Sequence, residues 1–201
     1  MTQISCLLWD FGDTLCDERF IWSGSPEWME IYNTFEGDGL GAAWCLGELN
    51  TREFAAELSK HLGRSEESIV AHMTERCNHI SFFQQTYEFF KARHLPQAIV
   101  TVNPDLFSDV VVPICGFAAN CEVIVTSWEE GTIDKNILNR LAIERMGLSC
   151  TNEEAILIDN KRANIDRWVA IGGSGYCYSD DESFARHAAS GIDALAGLSG
   201  A

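Results

Sequence analysis

Basic residues are scarce in this chain. Fourteen Lys and Arg face 30 Asp and Glu, for a formal charge of −16. A surface of that sign repels the phosphates of nucleic acid and the anionic face of a membrane, so neither is expected as a partner. Long apolar runs are also missing. The longest, Val110 to Ala119, is too short to span a bilayer and is broken by Pro113. The eight cysteines form no Cys-x-x-Cys pair and no zinc-like spacing, and several lie in apolar runs. They read as reduced core residues, which fits a cytoplasmic protein better than a disulfide scaffold. The start has no basic segment and Asp10 interrupts its apolar run, so no secretory signal peptide is expected. The five His residues show no metal-ligand spacing, and there is no internal repeat.

What is present is enough for one full core. The chain has 201 residues and is 46% hydrophobic, which suits one domain, or a core with a modest insertion. The informative stretch is Ile4 to Leu15, an apolar run that ends in Asp10-Phe11-Gly12-Asp13-Thr14. A short apolar run closed by a turn signal reads as a parallel strand buried on both faces, and ligands sit beyond the C-terminal ends of such strands. Asp and Gly also favour ordinary turns, so the run by itself leaves both readings open.

From Cys16 to about Pro96 the pattern is helical. Ser25-Pro26-Glu27 opens one helix, with Ser as N-cap and Pro at the first helical position. Asn50-Thr51-Arg52-Glu53 is a capping box before Phe54, Leu58 and Leu62, and Gly63 stops that helix. Ser65 starts another with Ile69, Val70 and Met73 on its apolar side, and a further helix covers Phe82 to His94.

Strand–helix alternation then resumes. Ala98 to Val102, Glu122 to Thr126, Ala155 to Asp159 and Tyr176 to Tyr178 are the expected strands. Asp134 caps a helix carrying Ile137, Leu138, Leu141, Ala142 and Met146, ended by Gly147. A helix through Ile165, Trp168 and Val169 follows the fourth strand, Ser179 caps a last helix, and Leu195 to Ala201 reads as a frayed tail. Such alternation implies an α/β fold with a parallel sheet and right-handed crossovers. Parallel strands bring their C-terminal ends together, so Asp10, Thr101 and Asp159 are expected to converge in the outline of a phosphate and metal site. A carboxylate can accept a phosphoryl group and release it to water, and Mg²⁺ offsets the repulsion between anionic nucleophile and anionic substrate.

Asp10-Phe11-Gly12-Asp13-Thr14-Leu15 resembles the first motif of the haloacid dehalogenase-like hydrolase superfamily, usually Asp-x-Asp-Gly-Thr. The resemblance implies a Rossmann-like parallel sheet of about five strands with an inserted all-helical cap. The core would be residues 1–16 and 96–201, and the cap residues 17–95. The run Trp44 to Phe54, with Gly47-Glu48 and a capped helix, resembles such caps. Asp10 would be the nucleophile that forms an aspartyl intermediate. Phosphatases of this family carry their general acid two residues later, where this chain has Gly12. Asp13, one residue further, would leave the extended chain on the opposite face and is retained as an orienting residue.

Thr101 matches the second motif, whose hydroxyl binds the transferring group, although a strand-end Thr also bonds to the following helix. Asn103 is a second phosphate-binding candidate and also a plausible N-cap before Pro104. Lys135 stands about one helical turn past the usual place of the third-motif Lys, near Thr132. Its cost at a helix N-terminus would be offset if it faced an anionic site, and a surface Lys is the alternative. Ile156 to Asn164 resembles the fourth motif, an apolar strand followed by Asp-Asp-x-x-x-Asn. Asp159 matches its first acid, Asn160 replaces the second, and Asn164 would orient the ligands or begin a helix. Asp10, the Gly12 carbonyl, Asp159 and Asn160 would surround Mg²⁺. Arg19 would meet an anion, or would pair with Glu18 or Asp17; Glu18 and Trp22 lie in the same crossing towards the cap.

The resemblance implies a Mg²⁺-dependent hydrolase of a small anionic phosphorylated metabolite. Two rivals follow from the departures from the motifs, the first from Gly12 and the second from Gly12, Asn160 and the displaced Lys135. One is a haloacid dehalogenase, which attacks carbon and needs neither metal nor an acid at that place. The other is a phosphate-binding or regulatory protein that keeps the pocket without turnover.

Overall fold

The computed structural model describes residues 3–22 and 39–196. The helix expected at Ser25-Pro26-Glu27 lies outside them. Five strands form one all-parallel sheet: β1 (Cys6–Trp9), β2 (Gln97–Thr101), β3 (Val123–Thr126), β4 (Ala155–Asp159) and β5 (Ser174–Cys177), in the spatial order β3-β2-β1-β4-β5. The fold is the expected Rossmann-like α/β sheet with an inserted helical region. β1 is central, and alternate residues feed two apolar layers, with Leu7 and Trp9 on one face and Cys6 and Leu8 on the other. Strands buried on both faces need the continuous apolar runs seen in the sequence.

Between β1 and β2 the described residues hold a 3₁₀ turn (Glu18–Trp22) and the helices Leu40–Cys45, Thr51–Leu62, Glu66–Cys77 and Gln84–Lys91, with no strand among them. The caps are as expected. Asn50 accepts from the Arg52 and Glu53 amides while Glu53 returns to the Asn50 amide, Gly63 ends that helix at φ 61°, and Ser65 accepts from the Ser68 amide. No helix among the described residues is long and apolar enough to cross a membrane.

The inserted helices do not have a core of their own. Phe54, Leu58, Ile69 and Met73 share one buried cluster with Phe11, Phe107 and Phe117 from the sheet layer. A polar latch reinforces the join: buried Asp105, just beyond β2, accepts from Trp44 Nε1 (2.9 Å), the Thr51 amide (2.8 Å) and Thr51 Oγ1 (2.6 Å). The helix Gln84–Lys91, expected within the cap, instead covers the sheet. Phe90 meets Trp9 edge-on with ring centroids 5.8 Å apart, and Asp181 accepts from the Gln85 and Thr86 amides at the start of that helix.

Several local expectations are corrected. Asp180, not Ser179, caps the helix Asp181–Ala188, because its carboxylate accepts from the Ser183 amide. Leu195 is fully buried within a helix, Ile192–Ala196, so the expected fray does not begin there. Ile137 and Val169 are exposed; the buried side of their helices runs through Lys135, Leu138 and Ala142 in one and Ile165 and Trp168 in the other. Sequence periodicity finds the stripe but not its edges, because the sheet covers only part of each helix.

Candidate active site

The register of the sheet builds the site. Trp9 pairs with Ile158, and the Asp10 amide donates to the Ile158 carbonyl at 2.9 Å. One further step along both strands sets Asp10 beside Asp159. Each continues the pleat of a residue in the same apolar layer, Leu8 in β1 and Leu157 in β4, so the two carboxylates leave on the same face. Asp10 is 7% exposed and Asp159 fully buried. Two buried like charges this close are unfavourable without a cation.

Lys135 supplies that cation. It is the first residue of the helix Lys135–Arg145, whose N-cap Asp134 accepts from the Asn136 amide. This places the Lys135 stem under the ends of β1 and β2. Its Nζ lies 2.7 Å from Asp10 Oδ1 and 3.4 Å from Asp159 Oδ2, and it also donates to the Val100 carbonyl. At 4% exposure it is not a surface Lys. Burial pushes the Asp10 carboxyl above its ordinary range, Lys135 pulls it down, and Asp159 adds to the rise.

The loop after β4 fixes Asp159. Its Oδ1 accepts from the Lys161 amide at 2.7 Å and its Oδ2 from Asn164 Nδ2 at 2.9 Å. Asn164 is therefore not the cap of the following helix. It orients Asp159 and itself accepts from Arg167 Nη2 at 3.1 Å. The Asn160 amide donates to Thr14 Oγ1 at 3.1 Å, while its side-chain Oδ1 is buried without a hydrogen-bond partner among the described residues. Thr14, fully buried, thus ties the first loop to the fourth. Its place inside the first motif was the only signal of that role in the sequence. Thr101 ends β2 nearby, buried, and its hydroxyl accepts from Asn103 Nδ2 at 2.6 Å. The Asn103 amide group is thus turned to Thr101.

Two candidates are placed differently. Asp13 adopts a left-handed conformation (φ 53°), and its Oδ1 accepts from the Glu18 amide at 3.2 Å, so it secures the turn. The Arg19 guanidinium grips Asp17 with both ends, at 2.9 and 2.7 Å, on the surface. This is the pairing with Asp17 that stood as the alternative to meeting an anion. At Gly12 the first loop has no room for a side chain: a Cβ there would stand 2.9 Å from Glu18 Cβ and 3.4 Å from Glu18 Cδ.

Asp10 and Asp159 stand side by side with the Lys135 ammonium against both. With Asn160 Oδ1, buried without a hydrogen-bond partner among the described residues, the two carboxylates offer hard oxygen donors of the kind Mg²⁺ takes. Among the described residues no group of three His, Cys, Asp or Glu stands ready for a metal. The donor set is thus poorer in charge than an all-carboxylate site.

No family model matches the chain, and no curated protein matches it either. Solved structures do. A HAD family enzyme from Bacteroides thetaiotaomicron superposes with a TM-score of 0.72 at 18% identity, over 92% of this chain and 98% of that one. The same enzyme in complex with magnesium and inorganic phosphate gives 0.68 at 17% identity, over 88% and 95%. L-2-haloacid dehalogenase from Xanthobacter autotrophicus gives 0.65 at 16% identity, over 98% and 86%. With the sheet order and the helical insertion after β1, these likenesses establish that the chain has the haloacid dehalogenase-like hydrolase fold.

Proposed function

We propose that the protein is a Mg²⁺-dependent phosphohydrolase of a small phosphorylated metabolite, acting through a phosphorylated Asp10. The observation that carries this reading is the ammonium of Lys135 between the carboxylates of Asp10 and Asp159. Lys135 holds the nucleophile in place and balances charge as an anionic phosphate approaches. Asp10 attacks phosphorus, and water later releases the phosphoryl group from it. Thr101, whose hydroxyl accepts from Asn103 Nδ2, would bind the transferring oxygens. Asn164 keeps Asp159 oriented.

Asp10, Asp159, Asn160 and the Gly12 carbonyl would hold the metal, which when bound supplies positive charge to the phosphate oxygens. The binding of magnesium and inorganic phosphate by an enzyme of the same fold supports this choice. The segment 17–95, without its last helix, is the cap that would select the substrate. A cytoplasmic location suits eight free cysteines, none of them in a disulfide.

Gly12 favours a second reading. A dehalogenase would direct Asp10 at carbon, and halide leaves without a proton. The test compares wild type and Asp10→Asn on an activated aryl phosphate, each with Mg²⁺ and with EDTA. Phosphate release that needs both Asp10 and Mg²⁺ is the expected result. Chloride release from a 2-haloacid in EDTA would replace it with the second reading. Tight phosphate binding without turnover of either substrate would replace both with a binding protein.

A further inference from the structure

We propose that Glu18 performs the acid–base work that position 12 cannot, an assignment that rests on the phosphohydrolase reading. Gly12 stands two residues past Asp10, and side chains two apart in an extended segment share a face. The backbone at Gly12 is extended enough to bridge to Cys16. A side chain at position 12 would therefore leave on the Asp10 side, where a proton donor to the leaving group has to stand. Glu18 occupies that space. The Cβ that Gly12 lacks would meet Glu18 Cβ at 2.9 Å and Cδ at 3.4 Å, with Oε2 nearer than either. The carboxyl group thus reaches the place of the absent side chain from six residues further along.

The loop delivers it firmly. Glu18 heads the 3₁₀ turn Glu18–Trp22, and its amide is tied to Asp13 Oδ1. The Asp13 amide in turn donates to the Cys16 carbonyl at 2.7 Å, and Cys16 bridges to both Gly12 and Phe82. Glu18 is half-buried, and its side chain lies against Gly12. A larger residue at position 12 would displace it, which accounts for Gly12: the glycine makes room for the replacement.

The step balances. As Asp10 Oδ forms its bond to phosphorus, the bond from phosphorus to the leaving oxygen breaks, and that oxygen takes the proton of the Glu18 carboxylic acid. Glu18 is left as a carboxylate. It then accepts a proton from water as the water oxygen bonds to phosphorus, the bond from phosphorus to Asp10 breaks with its electron pair returning to Asp10, and Glu18 is again the acid.

The experiment measures kcat/KM of wild type and Glu18→Gln on an aryl phosphate, whose leaving group departs without a proton, and on an alkyl phosphate, whose leaving group needs one. The expected loss is ~10²–10⁴-fold on the alkyl ester and about tenfold or less on the aryl ester. Asp10 should also accumulate as the phosphorylated form, read by intact mass after acid quench, because the second half of the step is slowed too. Equal losses on both esters, or no loss on the alkyl ester, would overturn the assignment while leaving the phosphohydrolase reading in place. A wild type that cleaves neither ester with Mg²⁺ overturns both. Should Glu18→Gln fail to fold by circular dichroism, the double variant Gly12→Asp with Glu18→Ala decides. Recovery of alkyl ester hydrolysis supports the exchange of positions, and aryl activity without alkyl activity overturns it.

Discussion

Lys135 Nζ lies 2.7 Å from Asp10 Oδ1 across 125 positions of sequence, and both groups are buried. The pair joins the first strand to a helix that follows the third, and a second acid, Asp159, completes it.

Removing Lys135 should therefore cost stability as well as activity. Lys135→Met leaves two buried carboxylates side by side, and breaking such a pair typically costs about 3–5 kcal/mol. Denaturant unfolding in EDTA should show the loss, and added Mg²⁺ should recover part of it, since a cation would again stand between the acids. Lys135→Arg should restore little, because a planar fork does not fit where a compact ammonium meets two carboxylates and a carbonyl.

Under the proposed function, the raised Asp10 carboxyl should set the acidic limb of activity. The nucleophile has to be ionised, so kcat/KM should rise with pH through a value above the ordinary carboxylate, about 3.9. For stability the sign is opposite. A carboxyl raised in the folded state contributes stability fully present below its unfolded pKa and lost as pH rises through its folded one. Asp10→Asn should thus gain stability relative to wild type as pH increases across that window, seen in urea midpoints taken at a series of pH values.

Asn160→Asp tests the metal site. It puts a charged oxygen where an amide oxygen without a partner among the described residues now lies. Mg²⁺ affinity should rise, and melting in EDTA should fall because a third carboxylate joins the first two. Isothermal titration and thermal melts would check both outcomes. An unchanged affinity would remove Asn160 from the ligand set.

Asp105 carries the join between insertion and core. Asp105→Ala leaves Trp44 Nε1 and the Thr51 amide without their acceptor, at a cost of about 1–3 kcal/mol for each group left buried and unpaired. Hydrogen exchange should accelerate first in the helix Thr51–Leu62.

Much of this was legible in the sequence, for reasons that differ by residue. β4 ends where the apolar run meets Asp159, and a parallel sheet had to gather Asp10, Thr101 and Asp159 at one edge. Lys135 could be found because one helical turn separates it from the usual place of its motif. Local chemistry decided other positions in ways that spacing does not carry. Arg19 had an acid two residues away and took it. Asp13 turned to its own loop, and Asp180 reached the free amides that Ser179 was expected to cap. The approach of Glu18 to Gly12 depends on the path of a turn whose residues carry no pattern. Leu195 looked like a tail because nothing in its neighbours reveals the apolar layer that receives it.

The shared cluster of Phe54, Leu58, Ile69 and Met73 with Phe11, Phe107 and Phe117 resists separation of the inserted helices from the core. Hinging those helices away as one body would uncover the whole cluster to water, at roughly 25 cal/mol for each Å² exposed. Any motion that leaves the cluster closed is cheaper. If the proposed phosphohydrolase reading holds, a bulky phosphate ester should lose turnover through crowding at the strand ends and not recover it by swinging the inserted helices aside, since the cluster ties them to the core.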